Sequence, residues 1–514
     1  MYRIRWLLLI ITAVDVDAGK ILIYSPSISY SHLISNGRIA DTLVRAGHDV
    51  VMFIPEYMST TSKFDGTKHA RVVRMNNISS RFEDDILKGE DYLMTQTRLG
   101  FLERLYFEFS LTDICRALMA RRAELEELRS YGFDAAFAEQ IDLCGIGVIR
   151  YLGIKNLLWI STTPIMDAVS YNLGIPAPPS YVPTIEENDN GDTMNFWQRA
   201  YNLYMYIGAI VIHRIGTDRT TEVFREFDPS FPNVREIAAN ASLCFVNVDE
   251  MFDLPRPIIH KTIYIGGLGV AEPKPLDEKF SAIMAKGEKG VIIVSLGTIA
   301  PFHALPNITK IGFAKVFRSM PDYHFILKVA KDDTTTSHFF KGVGNCDLIE
   351  WLPQADILAH PRLKLFVMHG GINGLTEALL RGVPVVVIPI FADQFRNGRA
   401  VEKRGVGRVM LKVGLKEKTI RATIREILEH DSYKRNAVRI SRLMKEKPFT
   451  AEERLLKWTD FAVRHGVLEE LHVEGSRLNF VVYFNLDTAA AEVQQLPESA
   501  GGIAREWETI LKAQ

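Results

Sequence analysis

The sequence predicts an α/β fold of two doubly wound domains, each a parallel sheet covered by helices on both faces. Three observations carry this. The chain has 514 residues, too many for one ordinary core and enough for two domains of roughly 200 residues each. Short apolar runs such as Val291–Ser295 and Val385–Ile388 are continuous rather than alternating, as in strands buried on both faces. Segments of helical spacing separate them, which is the pattern of parallel strands with crossover helices.

In chain order the first signal is a leader. Met1 to Arg5 carries two arginines, Trp6 to Val14 is apolar, and Val16-Asp17-Ala18 offers a small residue for cleavage. Residues 1–18 therefore read as a secretory signal peptide. A buried first strand is the weaker alternative, because Lys20–Tyr24 already supplies a complete strand. Three glycosylation sequons, at Asn77, Asn240 and Asn307, matter only if the chain enters the secretory pathway.

A first domain is expected over 19–250. It opens with a strand at Ile21–Ser25, a helix over Asn36–Ala46 ended by Gly47, and a strand at Asp49–Ile54. The pattern recurs at Phe133–Ala138, Gly145–Tyr151 and Asn156–Ser161, and a loop rich in proline and acid follows from Pro176 to Asp192. The apolar stretch Tyr201–Ile212 is too short to span a bilayer and reads as a buried or membrane-surface helix. A proline-rich connection is expected over 251–289.

The second domain, 290–457, carries strands at Val291–Ser295, His324–Val329, Leu365–Met368 and Val385–Ile388. Its helices are expected at Asn373–Arg381, Arg396–Arg404 and Lys418–His430. A returning element fills 458–487 and a polar tail 488–514.

Composition narrows the function. Lys and Arg number 61 against 62 Asp and Glu, so no basic excess points to nucleic acid. The thirteen histidines and four cysteines show no zinc-ligand spacing. Cys115, Cys144, Cys244 and Cys346 lie too far apart in sequence to assign disulfides.

Ligands of open parallel sheets bind beyond the carboxyl ends of the strands, and that rule selects residues. His32 lies in the loop after the first strand, and Glu139 just after the strand ending at Ala138. A histidine backed by a carboxylate is a general base of fixed tautomer; a capping or solvent-exposed His32 is the bland alternative. In the second domain, Phe366-Val-Met-His-Gly-Gly-Ile-Asn-Gly374 ends a strand on adjacent glycines and opens a helix. Such a turn lets backbone approach an anion at a helix N-terminus. It is neither a P-loop nor a dinucleotide fingerprint, which weakens an oxidoreductase reading. Trp351-Leu-Pro-Gln354 precedes it, Glu377 lies one turn beyond Asn373, and Phe391-Ala-Asp-Gln394 follows the next strand.

In that order the groups from Trp351 to Gln394 resemble the signature of the UDP-glycosyltransferase family, the glucuronosyl- and glucosyltransferases of animals, with an overall look closest to invertebrate members. The resemblance extends to Ser31-His32, Gly47-His48, Asn195-Phe-Trp-Gln-Arg199, Pro255-Arg-Pro257, Gly266-Gly267 and Val294-Ser-Leu-Gly-Thr298. It implies a GT-B fold of two Rossmann-like domains facing a cleft, and inverting transfer of glucose or glucuronate from a UDP-sugar to a hydroxyl of a small lipophilic acceptor. No metal or other cofactor is implied; the only Asp-x-Asp, Asp15-Val-Asp17, lies in the leader. His32 would be the general base, with Glu139 where the family usually has aspartate and Asp142 as its rival for the imidazole. Trp351 and Gln354 would contact uracil, and Glu377 the ribose. His369, Gly371 and Asn373 would hold the diphosphate, with Ser295 and Thr298 nearby. Asp393 and Gln394 would read sugar hydroxyls. Arg256 is weighed as a partner for a glucuronate carboxylate against a structural role.

The family resemblance also implies a glycoprotein of the endoplasmic reticulum lumen serving detoxification. Peripheral membrane contact and homo-oligomerisation stay open. Two departures are visible. Gly374 replaces the usual serine, and after Tyr483-Phe-Asn-Leu-Asp487 the expected membrane helix gives way to the polar tail. These motivate the rival reading, a catalytically impaired paralogue that binds UDP-sugar or lipophilic ligands.

Overall fold

The computed structural model describes residues 18–78, 81–96, 98–297, 301–331 and 333–488. The expected leader up to Asp17, Ser79 of the first sequon, Thr298, and the expected tail from Ala489 onward lie outside the described residues. Two parallel sheets form the frame. The first holds β1 (Lys20–Tyr24), β2 (Asp49–Pro55), β3 (Arg71–Met75), β4 (Ala135–Glu139), β5 (Leu157–Ser161), β6 (Leu243–Val246) and β7 (Thr262–Tyr264) in the order β3-β2-β1-β4-β5-β6-β7. The second holds β8 (Gly290–Ser295), β9 (Tyr323–Lys328), β10 (Cys346–Ile349), β11 (Leu363–Met368), β12 (Val385–Val387) and β13 (Gly407–Val409) in the order β10-β9-β8-β11-β12-β13.

Each order reverses once. In the first sheet the chain moves outward through β2 and β3, then returns to pair β4 with β1, Tyr24 opposite Ala138. In the second it moves outward through β9 and β10, then returns to pair β11 with β8, Met368 opposite Ser295. At each reversal the connections leave in opposite directions and open a crevice beyond the strand ends. His32 and Glu139 follow the first reversal; Ser295 and the His369-Gly370-Gly371 turn follow the second.

The helices needed below are α1 (Tyr30–Arg45), α2 (Phe101–Ala120), α3 (Cys144–Tyr151), α4 (Phe196–Arg225), α5 (Ile372–Leu380), α6 (Gln394–Lys403) and α7 (Ala451–His465). The helix expected from Asn36 begins six residues earlier, because the Ser29 hydroxyl accepts from the His32 N–H and caps it. His32 therefore sits in the first turn of α1 and not in a loop.

The apolar stretch at Tyr201 is the middle of α4. Met205, Ala209 and Ile212 are buried on one face, while Trp197, Tyr204, Ile207 and Val211 stay exposed on another. Among the described residues, no helix is long and apolar enough to cross a membrane. Cys115 of α2 is bonded to Cys144 of α3, a pairing that no sequence spacing announced.

The expected connection over 251–289 is not wholly irregular. It supplies β7, the edge strand of the first sheet, and a helix at Glu278–Ala285. A three-residue strand is too short for its periodicity to stand out. The returning element begins before residue 458, since all of α7 belongs to it. Asn156 Nδ2 donates to the Ala462 carbonyl at 2.8 Å, and His48 Nε2 lies 2.9 Å from Asp460 Oδ1. Leu455 of α7 is 0% exposed and joins Ile21, Phe137 and Phe245 in one apolar cluster.

This packing sets an expectation for stability. Leu455→Ala should lower the unfolding free energy by about 2–5 kcal/mol, the range for emptying a buried leucine site. Urea denaturation followed by far-UV circular dichroism measures it. An unchanged midpoint would show that α7 adds nothing to the first-domain core.

Candidate active site

The first half of the site is a histidine and a carboxylate from separate elements. His32 Nδ1 lies 2.6 Å from Glu139 Oε1. Glu139 is the last residue of β4 and is 1% exposed. Thr162 Oγ1, just beyond β5, donates to the same oxygen at 3.1 Å. Burial alone would lower the basicity of His32, but the charge and hydrogen bond of Glu139 outweigh it and leave the imidazole more basic than usual. The carboxylate accepts at Nδ1, which leaves Nε2 to carry the lone pair of the neutral ring.

Asp142 is built into a different cluster. Its carboxylate accepts the Cys144 backbone N–H at 2.7 Å and the Tyr57 and Tyr24 hydroxyls. Burial pushes its carboxyl up to about 6, against those hydrogen bonds. The imidazole partner in the structure is thus Glu139.

The second half of the site lies opposite. Gly370, at φ 95°, turns the chain from β11 into α5, a backbone conformation that favours glycine. Gly371 has no room for a side chain, since a Cβ there would stand 2.5 Å from His369 Nε2. Burial, with the Lys328 charge as a lesser cause, lowers His369 to about 4. Its ring is therefore neutral at physiological pH and supplies no charge of its own. The cation beside it is Lys328 at the end of β9, whose Nζ donates to the Gly297 carbonyl at 2.7 Å; sequence reading passed over this lysine. Ser295 ends β8 and is buried. Thr298, expected beside it, lies outside the described residues.

Asp393 and Gln394 are set by the start of α6. Asn397 donates at 2.6 Å to Asp393 Oδ2 and at 2.9 Å to the Gly370 carbonyl, tying Asp393 to the glycine turn. Burial pushes the Asp393 carboxyl up to about 6, against the Asn397 hydrogen bond and the His32 charge. The two crevices face each other, since Ser35 of α1 and Asn373 of α5 meet at 3.0 Å. Gln394 Oε1 accepts from Ile390 N at 2.8 Å, so half of its amide closes the loop that presents it. Ala392 between them is left-handed at φ 54°. Glu187, from the acidic loop of the first domain, holds it by accepting the Ala392 N–H at 2.7 Å.

Of the remaining predicted residues, Glu377 and Asn373 bond across the seam between the domains. Trp351 is 74% exposed and presents its ring openly. Gln354 Nε2 donates to Glu377 Oε2 at 2.8 Å, and Arg38 of α1 donates to Glu377 Oε1 at 2.9 Å. Asn373 faces the first domain: its Nδ2 donates to Ser35 Oγ at 3.0 Å, and its Oδ1 accepts from Asn247 Nδ2 at 2.9 Å. Its amide is thus engaged across the seam. Arg256 donates to Ser170 Oγ at 2.8 Å and to the Ile165 and Pro176 carbonyls. Those bonds, all within the first domain, give it a structural role. Sequence reading missed Ser35, Arg38, Thr162, Glu187 and Asn247. Only the first two had a signal, since they share with His32 one face of α1 at intervals of three.

A family model described as UDP-glucoronosyl and UDP-glucosyl transferase matches residues 19–509. The ugt-50 protein of Caenorhabditis elegans is 40% identical over 494 residues, 94% of each chain. UDP-glucuronosyltransferase 1A7 of Rattus norvegicus is 27% identical over 482 residues, 91% of this chain and 87% of that one. Among solved structures, a UDP-glucosyltransferase from Polygonum tinctorium superposes with a TM-score of 0.60 at 15% identity, covering 87% of this chain and 99% of that one. Os79 from O. sativa does so with a TM-score of 0.59 at 14% identity, covering 86% and 100%. These neighbours are GT-B glycosyltransferases, and the fold is GT-B.

The electrostatics of the pair give one direct expectation. Glu139→Gln removes the charge that raises His32, so the His32 pKa should fall below its wild-type value. A histidine-selective NMR titration reads it. An unmoved His32 would mean that the 2.6 Å contact does not set its charge.

Proposed function

Since the chain belongs to the UDP-glucuronosyl and UDP-glucosyl transferase family and is a UDP-glycosyltransferase, we propose that it transfers glucose or glucuronate from a UDP-sugar to a hydroxyl of a small lipophilic acceptor, inverting the anomeric carbon. The observation that supports this reading best is the His32–Glu139 pair facing the Gly370-Gly371 turn across one cleft.

The chemistry follows from what each half supplies. The acceptor hydroxyl sits at Nε2 of His32. As its oxygen attacks the anomeric carbon, the proton passes to Nε2, and Glu139 stabilises the imidazolium that forms. On the opposite side of that carbon the bond to the diphosphate oxygen breaks, and UDP departs with the electron pair. Attack opposite the leaving group inverts the centre. The α5 N-terminus and Lys328 meet the charge that develops on the diphosphate. This supply of positive charge is the ground for proposing that no divalent metal is needed. His369 contributes a neutral ring, Trp351 an aromatic face for uracil, Glu377 an acceptor for the ribose, and Asp393 with Gln394 the contacts to the sugar.

Gly374 need not impair donor binding. A Cβ there would meet only the flexible Cε of Met368 at 3.0 Å and the Gln354 amide at 3.8 Å. A serine fits with a small shift of Met368, and Gly374→Ser should tighten UDP binding by up to about tenfold, one added hydrogen bond. Calorimetry measures this; weaker binding would place the 374 side chain away from the nucleotide.

The main test is mass-spectrometric product analysis with a panel of UDP-sugars and phenolic acceptors, with and without EDTA. His32→Ala should lower turnover about 100-fold to 10,000-fold, while UDP binding changes little. His32 works in its neutral form, so turnover should rise with pH through its raised pKa. In Glu139→Gln that limb should move to lower pH with a lower plateau, whereas Asp142→Asn should leave its position in place. Wild-type turnover by His32→Ala on a hydroxyl acceptor would overturn the mechanism.

A further inference from the structure

One contact of the seam joins the nucleotide side of the cleft to a residue of the other domain. Glu377 has both oxygens engaged, Oε1 by Arg38 at 2.9 Å and Oε2 by Gln354 at 2.8 Å. Gln354 belongs to the same domain as Glu377. Arg38 comes from α1, two turns beyond His32. Both side chains of the ion pair are sheltered, 21% exposed for Arg38 and 14% for Glu377.

The stem of Arg38 is steered there. A Cβ at Gly269 would stand 2.9 Å from Arg38 Cγ and 3.0 Å from its Cβ, and Gly269 is left-handed at φ 62°. A side chain in this turn after β7 would crowd the Arg38 stem, whose guanidinium reaches Glu377 of α5. One turn closer to His32, Ser35 meets Asn373 of α5 in the same way. α1 therefore carries the base, a hydrogen bond to α5 and an ion pair to α5 on one face.

We propose that Arg38 is a positioning residue of the donor site. It fixes one oxygen of Glu377 while Gln354 fixes the other, and so presents an oriented carboxylate to the vicinal hydroxyls of the donor's ribose. This inference rests on the reading of Glu377 as the ribose acceptor. The physical case is one of lone pairs. Each carboxylate oxygen has two acceptor sites, so the arginine and the amide occupy one on each oxygen and leave the other for a ribose hydroxyl. A charge-assisted bond from a planar guanidinium also fixes direction better than a flexible ammonium does. Because Arg38 is held by the first domain, the ribose site is complete only when the cleft is closed, with His32 brought up by the same helix.

The test compares UDP with 2′-deoxy-UDP on the full chain, with Kd from calorimetry. Thermal unfolding first establishes that each variant is folded. Wild type should prefer UDP. Arg38→Ala should weaken UDP roughly tenfold and 2′-deoxy-UDP by less than about threefold, so that the preference collapses. Arg38→Met keeps the apolar stem on Gly269 and should show the same collapse. Arg38→Lys keeps charge without the fork and should retain part of the preference. If Arg38→Ala and Arg38→Met keep the wild-type preference, or lose both ligands in parallel, the inference is wrong. Failure of the underlying reading looks different: wild type would not distinguish the two ligands, or Glu377→Gln would bind UDP as wild type does.

Discussion

The geometry depends on a topological constraint, the single reversal of strand order in each parallel sheet. A reversal sends two chain connections in opposite directions and leaves the strand ends between them uncovered. Here β1 and β4 make one such opening, and β8 and β11 make the other. α1 and α5, the helices that leave these openings, meet through Ser35–Asn373 and Arg38–Glu377. Base and anion site are thereby placed opposite each other by helices packed on the two sheets.

Charge is managed differently on the two sides. On the acceptor side a buried carboxylate raises the basicity of a histidine, because its charge and hydrogen bond outweigh the opposing effect of burial. On the donor side positive charge comes from a helix start and from Lys328, while burial keeps His369 neutral. The difference matches what each side must do: the first has to accept a proton and hold it briefly, and the second has to meet an anion. The acidic loop of the first domain serves the second side as well, since Glu187 holds Ala392 in a strained conformation next to Asp393.

Much of this was legible in the sequence because the signals were local. Continuous apolar strands, the Gly-Gly turn into a helix, and a histidine just after the first strand are each read from a few adjacent residues. Placing Glu139 and His32 on one sheet edge needed only the rule that parallel strands end on the same side. Other readings fell short for equally local reasons. The Ser29 cap moved the start of α1 forward by six residues and took His32 out of its loop. β7 was too short to show a period. Arg256 stood between a ligand and a structural role, and its bonds to the Ile165 and Pro176 carbonyls support the structural one.

By itself, the sequence determined two doubly wound α/β domains, eight of the thirteen described strands, and the residue types that gather at their ends, because these follow from periodicity and from the order of elements along the chain. Only the tertiary structure decided which carboxylate meets His32, which cysteines pair, that Asn373 is engaged across the seam, and that Arg38 reaches Glu377. The last of these joins residues 339 positions apart. No periodicity or spacing encodes such a contact; it exists because two independently formed sheets are held face to face, with Gly269 leaving room for one arginine stem between them.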